Sequence, residues 1–349
     1  MNGYQRTIFF TKSPLVGKYR YKDEFQIFPA NLESMPKSQF QRHFPNILEY
    51  RIKEFDQVSF SSEKIESASL KELFSFTATT LTLQDRILDF LTAVSNNRFF
   101  RYKDSEGNWG MPMTKEEIDE EMNTWSSKWC MRMFHFPELP NQLRIESLTD
   151  NNIPTIVREN HKTFYTYNPS LDADTQQHIR LPDTIDELFD SYFSLSTIER
   201  NIMDGVISFL NSAIETFTMH KTLSLVAVFT SLETLMNLEF KDVSNERCEK
   251  CGQLKYSIAM KFREFLMKYI GDSQNNKKKF NSLYSLRSKI VHTGTQLRTE
   301  KLFADVPDEV QTEEYLKRAE VLQLGKLAFA NWLLTKPYGV NKRRVIVKI

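Results

Sequence analysis

Hydrophobic and polar positions follow two different periods along this chain, and the change between them divides it. Near the start, QRTIFFTK and YRYKDEFQIFPA alternate polar with aromatic or branched residues, the period-two pattern of half-buried strands. A helix is predicted from about Thr82 in TLQDRILDFLTAV, with Leu83, Ile87, Leu88 and Leu91 on one apolar face. Two short strand-like pieces follow around a polar turn at Asp104–Asn108. Thr114 and Glu117 then have capping-box spacing at the start of a second helix. Prolines 137, 140, 154, 169 and 182 mark an irregular stretch that leads to a domain boundary.

From Ser196 onward the pattern is helical. Ser196 and Glu199 form another capping-box signature, opening TIERNIMDGVISFLNSAIETF. The next segment, KTLSLVAVFTSLETLMNLEF, is apolar on nearly every face and is expected at the centre of a bundle. LKYSIAMKFREFLMKYI follows with helical periodicity, then GDSQNNKKK as a predicted polar loop, and then a helix containing LYSLRSKIVHTG. A last helix, TEEYLKRAEVLQLGKLAFANWLL, is predicted to start at a Thr312 cap. The expected fold is an α+β N-terminal domain over residues 1–182, then an all-α helical bundle with a C-terminal tail over 183–349, mainly α overall.

Composition narrows the function classes. Forty per cent hydrophobic and 26% charged residues describe an ordinary globular chain, and 27 phenylalanines against 10 glycines favour packed helices over glycine-rich phosphate loops. The net charge of +1, from 46 basic and 45 acidic residues, provides no global attraction to nucleic acid, so any such binding needs a local patch. No apolar run approaches a membrane span, and MNGYQRTIFF lacks the features of a secretory leader. Three cysteines point to a reducing compartment, so a cytoplasmic location is expected.

The stretch LYSLRSKIVHTG carries the candidate chemistry. On a helical wheel Arg287, Val291, Tyr284, Ser288 and His292 fall within an arc of roughly 140°, while Leu283, Leu286 and Ile290 cluster on the other side. Gly294 suits a left-handed helix stop, which puts His292 in the last turn. A histidine can take the proton of a ribose 2′-hydroxyl or give one to a leaving 5′ oxygen. An arginine fork can hold the phosphate and stabilise its extra transition-state charge. The attacking oxygen belongs to the substrate, so this chemistry asks for no metal and no cofactor. Spacing alone does not separate such a site from a helix-ending histidine beside a surface arginine.

The motif together with FTSLETLMN and the lysine- and phenylalanine-rich helix between them resembles the HEPN superfamily, specifically its ApeA-like branch, over about Ser196 to Leu334. The family signature is arginine, a polar residue, three variable positions and histidine; here it reads Arg287, Ser288, Lys289, Ile290, Val291, His292, with serine where asparagine or aspartate is frequent. The resemblance implies a helical domain that forms a homodimer with a composite cleft. It also implies a metal-independent endoribonuclease leaving a 2′,3′-cyclic phosphate and a 5′-hydroxyl. Many such proteins are toxins or antiviral effectors acting on host or phage RNA, tRNA among the candidate targets. A non-catalytic nucleic-acid- or protein-binding dimerisation module is the competing expectation.

Four further features have a functional and a plain reading. Glu233, within the most apolar helix, needs a partner and is expected to face Arg287 and fix its guanidinium; the plain reading is a salt bridge to another bundle residue. Lys277, Lys278 and Lys279 either steer RNA phosphates, with Tyr284 nearby, or form a solvated loop. Cys248 and Cys251 are half of a zinc knuckle without a second half unless Cys130 and His220 complete it, so no metal is expected. The acidic run Glu116–Glu121 fits a helix N-terminus better than a metal site. Trp109, Trp125 and Trp129 fit either base stacking or a core, and Val345–Val347 could add a strand to the first domain.

Overall fold

The computed structural model describes residues 3–30, 44–52, 70–101, 144–166, 178–242, 257–301 and 305–336. Contacts divide the chain into two compact units. Met1–Thr92, Asn97–Arg158 and Asp172–Arg180 form the first; Ala93–Asn96, Glu159–Leu171 and Leu181–Ile349 form the second. The expected turn at Asp104–Asn108, the capping box at Thr114, the acidic run, all three cysteines, the three tryptophans weighed above and Val345–Val347 lie outside the described residues.

An antiparallel sheet forms the base of the first unit. β1 (Gly3–Thr11) pairs along its length with β4 (Phe44–Ile52), and β4 pairs in turn with β3 (Phe25–Pro29), which makes a hairpin with β2 (Tyr19–Tyr21). On the other side of β1 lie the short strands β5 (Phe99–Phe100) and β6 (Arg144–Ile145). YRYKDEFQIFPA is therefore two strands, reversing through Lys22 at φ 49°. Register places Arg6, Glu49 and Gln26 directly opposite one another. Next to them, on the same face, Ile8, Phe10, Phe28 and Ile47 form an apolar cluster.

Glu49 is fully buried, and five donors surround it. Its carboxylate accepts from Arg6 Nε at 2.9 Å and Nη2 at 2.6 Å, from Gln26 Nε2 at 2.6 Å, and from the backbone and hydroxyl of Thr149 at 2.8 and 2.6 Å. Those bonds offset the desolvation of the charge. Because β4 reads FPNILEYRI, with a buried Glu49 at an inward position, its alternation was not legible as a strand. Helix α1 (Leu70–Val94) starts well before the expected Thr82. Thr82 returns its hydroxyl to Ala78 O at 2.7 Å, so a residue that usually marks a helix start is accommodated inside one.

The second unit contains seven helices among the described residues: α2 (His161–Thr166), α3 (Ile185–Ser194), α4 (Thr197–Glu215), α5 (Lys221–Glu239), α6 (Ile258–Tyr269), α7 (Gln274–Thr293) and α8 (Asp308–Leu334). With the sheet of the first unit this makes an α+β chain that is mainly helical. The Ser196 capping box forms as its spacing demands, with Ser196 Oγ and Glu199 exchanging bonds. α5 packs against α4, α6, α7 and α8, in keeping with its all-round apolar surface.

Two helix starts differ from their expected positions. α7 begins at Gln274 with Ser273 as its cap, accepting from Asn276 N at 3.2 Å, so Lys277, Lys278 and Lys279 are helical and not in a loop. The loop expectation followed the run of polar residues; the cap serine decides the structure. α8 begins at Asp308 after Pro307, which leaves Thr312 in the second turn. Proline's fixed backbone followed by two acidic residues makes this the better N-terminus.

α8 is the core of its unit, buried on every side from Val321 to Leu334. Gly325 is required there, because a Cβ would lie 2.7 Å from Val228 Cγ1 of α5. Its buried polar side chains find partners: Lys326 donates to Ser95 O, Gln323 to Asn96 Oδ1 at 2.9 Å, and Asn331 to Tyr269 O at 2.6 Å. Asn331 Oδ1 then faces His161 Nε2 at 3.1 Å, while Nδ1 meets Thr184 Oγ1 at 2.7 Å.

Burial holds the His161 pKa below its ordinary value, although Asn331 and Asp183 oppose the shift. An unfolded chain therefore binds a proton that the folded chain resists, and stability falls as pH drops below 6.5. Denaturant unfolding between about pH 8 and about pH 5 is expected to show this loss, with a shallower slope in His161→Gln. Equal slopes in the two proteins would contradict the assignment.

Candidate active site

The LYSLRSKIVHTG motif forms the C-terminal half of α7. Phe280, Leu283 and Ile290 are buried, and Leu286 is half-buried. Tyr284 lays its ring against Phe262 of α6, with centroids 5.6 Å apart, and Phe262 in turn meets Phe229 of α5 at 6.4 Å. The apolar stripe and this aromatic contact set the rotation of α7 against α5 and α6. Gly294 ends the helix in the left-handed region at φ 66°, donating to Ile290 O at 3.1 Å. His292 therefore occupies the last turn, exposed to solvent.

Arg287 sits at the margin of the buried stripe, where it meets Glu233 of α5. Nη2 donates to Glu233 Oε2 at 2.8 Å, and Nε lies 2.5 Å from Oε1, out of line for a good hydrogen bond. The side chains are only 16% and 20% exposed, so solvent screens the pair weakly. The remaining terminal nitrogen, Nη1, is 3.2 Å from His292 Nε2. A carboxylate, a guanidinium and an imidazole thus stand in line across two helices. The array can present fixed guanidinium N–H groups and a neighbouring proton-transfer group to an anion arriving from solvent.

Of the residues singled out from sequence, the structure brings Glu233, Arg287 and His292 together. Ser288 is half-buried and makes no hydrogen bond to either motif residue among the described residues. Tyr284 is half-buried, with its ring engaged by Phe262. Lys277 and Lys278 lie near the start of α7, far along the helix from His292, and Lys279 Nζ pairs with Glu320 at 2.5 Å. His220 is at the N-cap position of α5.

Sequence reasoning missed how the segment after the motif is held. Leu297 N donates to Thr222 Oγ1 at 3.0 Å, and Thr222 N donates to Glu300 Oε2 at 2.6 Å, tying that segment to the start of α5. Glu314 of α8 accepts from the backbone N–H groups of Arg298 and Thr299 at 3.0 Å each and from the Thr299 hydroxyl at 2.6 Å. Burial raises the Glu314 pKa, but the Thr299 and Arg298 bonds outweigh it and hold the carboxyl below its usual range. The anchors link residues 15 to 78 positions apart, separations at which the sequence carries no signal. Together with the Glu233–Arg287 pair, they show that α5 and α7 run antiparallel.

Removing Glu233 strands a weakly screened guanidinium, so Glu233→Ala is expected to destabilise the fold by about 1–3 kcal/mol. His292→Ala, at an exposed helix end, is expected to stay within about 0.5 kcal/mol of wild type. Chemical denaturation of both variants checks this, and a large loss for His292→Ala would give the histidine a structural role. No family model matches the chain, and no curated protein or solved structure matches it.

Proposed function

We propose that this protein is a HEPN-type, metal-independent endoribonuclease whose catalytic residues are Arg287 and His292, with Glu233 positioning the arginine. The observation that carries the reading is the line from Glu233 through Arg287 to His292, with the imidazole of the last member in solvent. The charge of α7 supports it. That helix holds four lysines or arginines besides Arg287 and no aspartate or glutamate, in a chain of near-zero net charge. Lysines 277–279 stand near the helix N-terminus, where the helix dipole disfavours cations, and Lys279 is offset by its pair with Glu320.

In the proposed reaction His292 accepts the proton of a ribose 2′-hydroxyl while the O2′ attacks the adjacent phosphorus. The P–O5′ bond breaks, the leaving O5′ takes up a proton, and the products are a 2′,3′-cyclic phosphate and a 5′-hydroxyl. Arg287 binds the phosphate oxygens and the charge that builds on them. An imidazolium contributed by a second copy across a homodimer cleft would be the acid. Ser288 lines the same helix face, and Lys277, Lys278, Lys279 and Tyr284 extend the RNA-binding surface. A cytoplasmic toxin or antiviral effector is the setting this reading favours, and among the described residues no helix is long and apolar enough to cross a membrane.

Full-length protein incubated with mixed RNA in EDTA is expected to cleave it, leaving cyclic phosphate ends. His292→Ala and Arg287→Ala should each slow cleavage by about 100-fold or more. Undiminished cleavage by either variant rejects the assignment. RNA binding without cleavage in wild type favours the non-catalytic module instead.

A further inference from the structure

The Arg287–His292 contact has one chemically allowed form. A guanidinium donates hydrogen bonds and accepts none, so Nη1 is the donor and His292 Nε2 must offer its lone pair. A neutral imidazole with Nε2 unprotonated carries its proton on Nδ1, the tautomer that an unconstrained histidine disfavours. The bond therefore occupies the ring nitrogen closest to the arginine, the one best placed to take the proton of a ribose 2′-hydroxyl beside a phosphate held there. On its other side the guanidinium is held by Glu233. The guanidinium thus divides its two terminal nitrogens between Glu233 and His292.

We propose that the Arg287–His292 hydrogen bond is a resting latch, which keeps Nε2 occupied and the ring in its Nδ1–H form until a phosphodiester anion takes over Arg287 Nη1. The exchange is favourable because the guanidinium gains a Coulomb attraction to an anionic phosphate oxygen that a neutral ring nitrogen does not offer. Release breaks no covalent bond and moves no proton. It leaves a lone pair on Nε2 at the place where the phosphate has just bound, so the base becomes available only when substrate is present. Glu233 keeps the guanidinium from following the phosphate away. The identity of the ligand rests on the RNA-cleavage reading, whereas the latch itself rests on the geometry of Arg287 and His292.

The test is nitrogen NMR of the histidine side chains in full-length protein at a pH where the ring is neutral, with His292 assigned through His292→Ala. Wild type is expected to show a protonated Nδ1 and a bare Nε2. The double variant Arg287→Met, Glu233→Gln, which strands no charge, should return His292 to the ordinary mixture rich in Nε2–H. Should that variant not fold, Arg287→Ala supplies the comparison, since it removes the donor to Nε2 and leaves Glu233, 20% exposed, in reach of water. An ordinary mixture in wild type, or a spectrum unchanged by the substitution, overturns the latch. A 2′-deoxy oligonucleotide added to wild type should reproduce the variant's change, and binding that leaves His292 unmoved overturns the release step. An oligonucleotide that fails to bind counts against RNA as the ligand, while the comparison of wild type with variant still decides the latch.

Discussion

A helix buried on every side needs partners from its neighbours for each of its polar side chains, and α8 imposes that constraint on the second unit. Between Val321 and Leu334 no side chain of α8 reaches solvent freely, yet the segment includes Gln323, Lys326 and Asn331. Each has a partner, and the partners define what surrounds the helix: the 93–96 segment, the end of α6 and, through Asn331, His161 of α2. Unmatched, groups of this kind cost on the order of 1–3 kcal/mol each. Arg318 belongs to the same pattern, donating to Phe217 O while its guanidinium lies over the Phe217 ring at 4.3 Å.

The candidate site inherits its geometry from that core. Gly325 lets α5 approach α8 closely at Val228, and this crossing fixes which face of α5 turns outward. Glu233 lies half-buried on α5, where Arg287 of the adjoining helix reaches it. α7 meets the requirement with Arg287, whose remaining terminal nitrogen then points along the helix to His292. At the His292 end of the same helix pair, Thr222, Glu300 and Glu314 hold the segment that follows Gly294. Core packing, an ion pair and a stapled loop thus set three functional groups without any of them being in the core.

The first unit manages a buried charge by the opposite strategy. Glu49 is enclosed in the sheet by five donors, leaving no direction open to solvent or ligand. Arg287 uses part of its fork on Glu233 and a further N–H on a neutral nitrogen, and its partner His292 is exposed. A saturated network rigidifies a fold, whereas one with exchangeable donors can accept an anion. That difference separates the structural ion pair from the candidate catalytic one.

What the chain determined by itself lies within a turn or two of each residue. The Ser196 capping box, the all-round apolar character of α5, the Gly294 stop and the placing of Arg287 and His292 near one helix end depend only on neighbours in sequence, and all were legible. The starts of α7 and α8 were local too, but a cap serine and a proline competed there with stronger-looking polar signals. Tertiary structure decided the rest: that Glu233 and not another acid holds Arg287, that Glu300 and Glu314 anchor the loop behind the motif, and that a strand carrying Glu49 is buried. Each joins residues far apart in the chain, and periodicity carries no information about which distant element will supply a partner. Only packing chooses it.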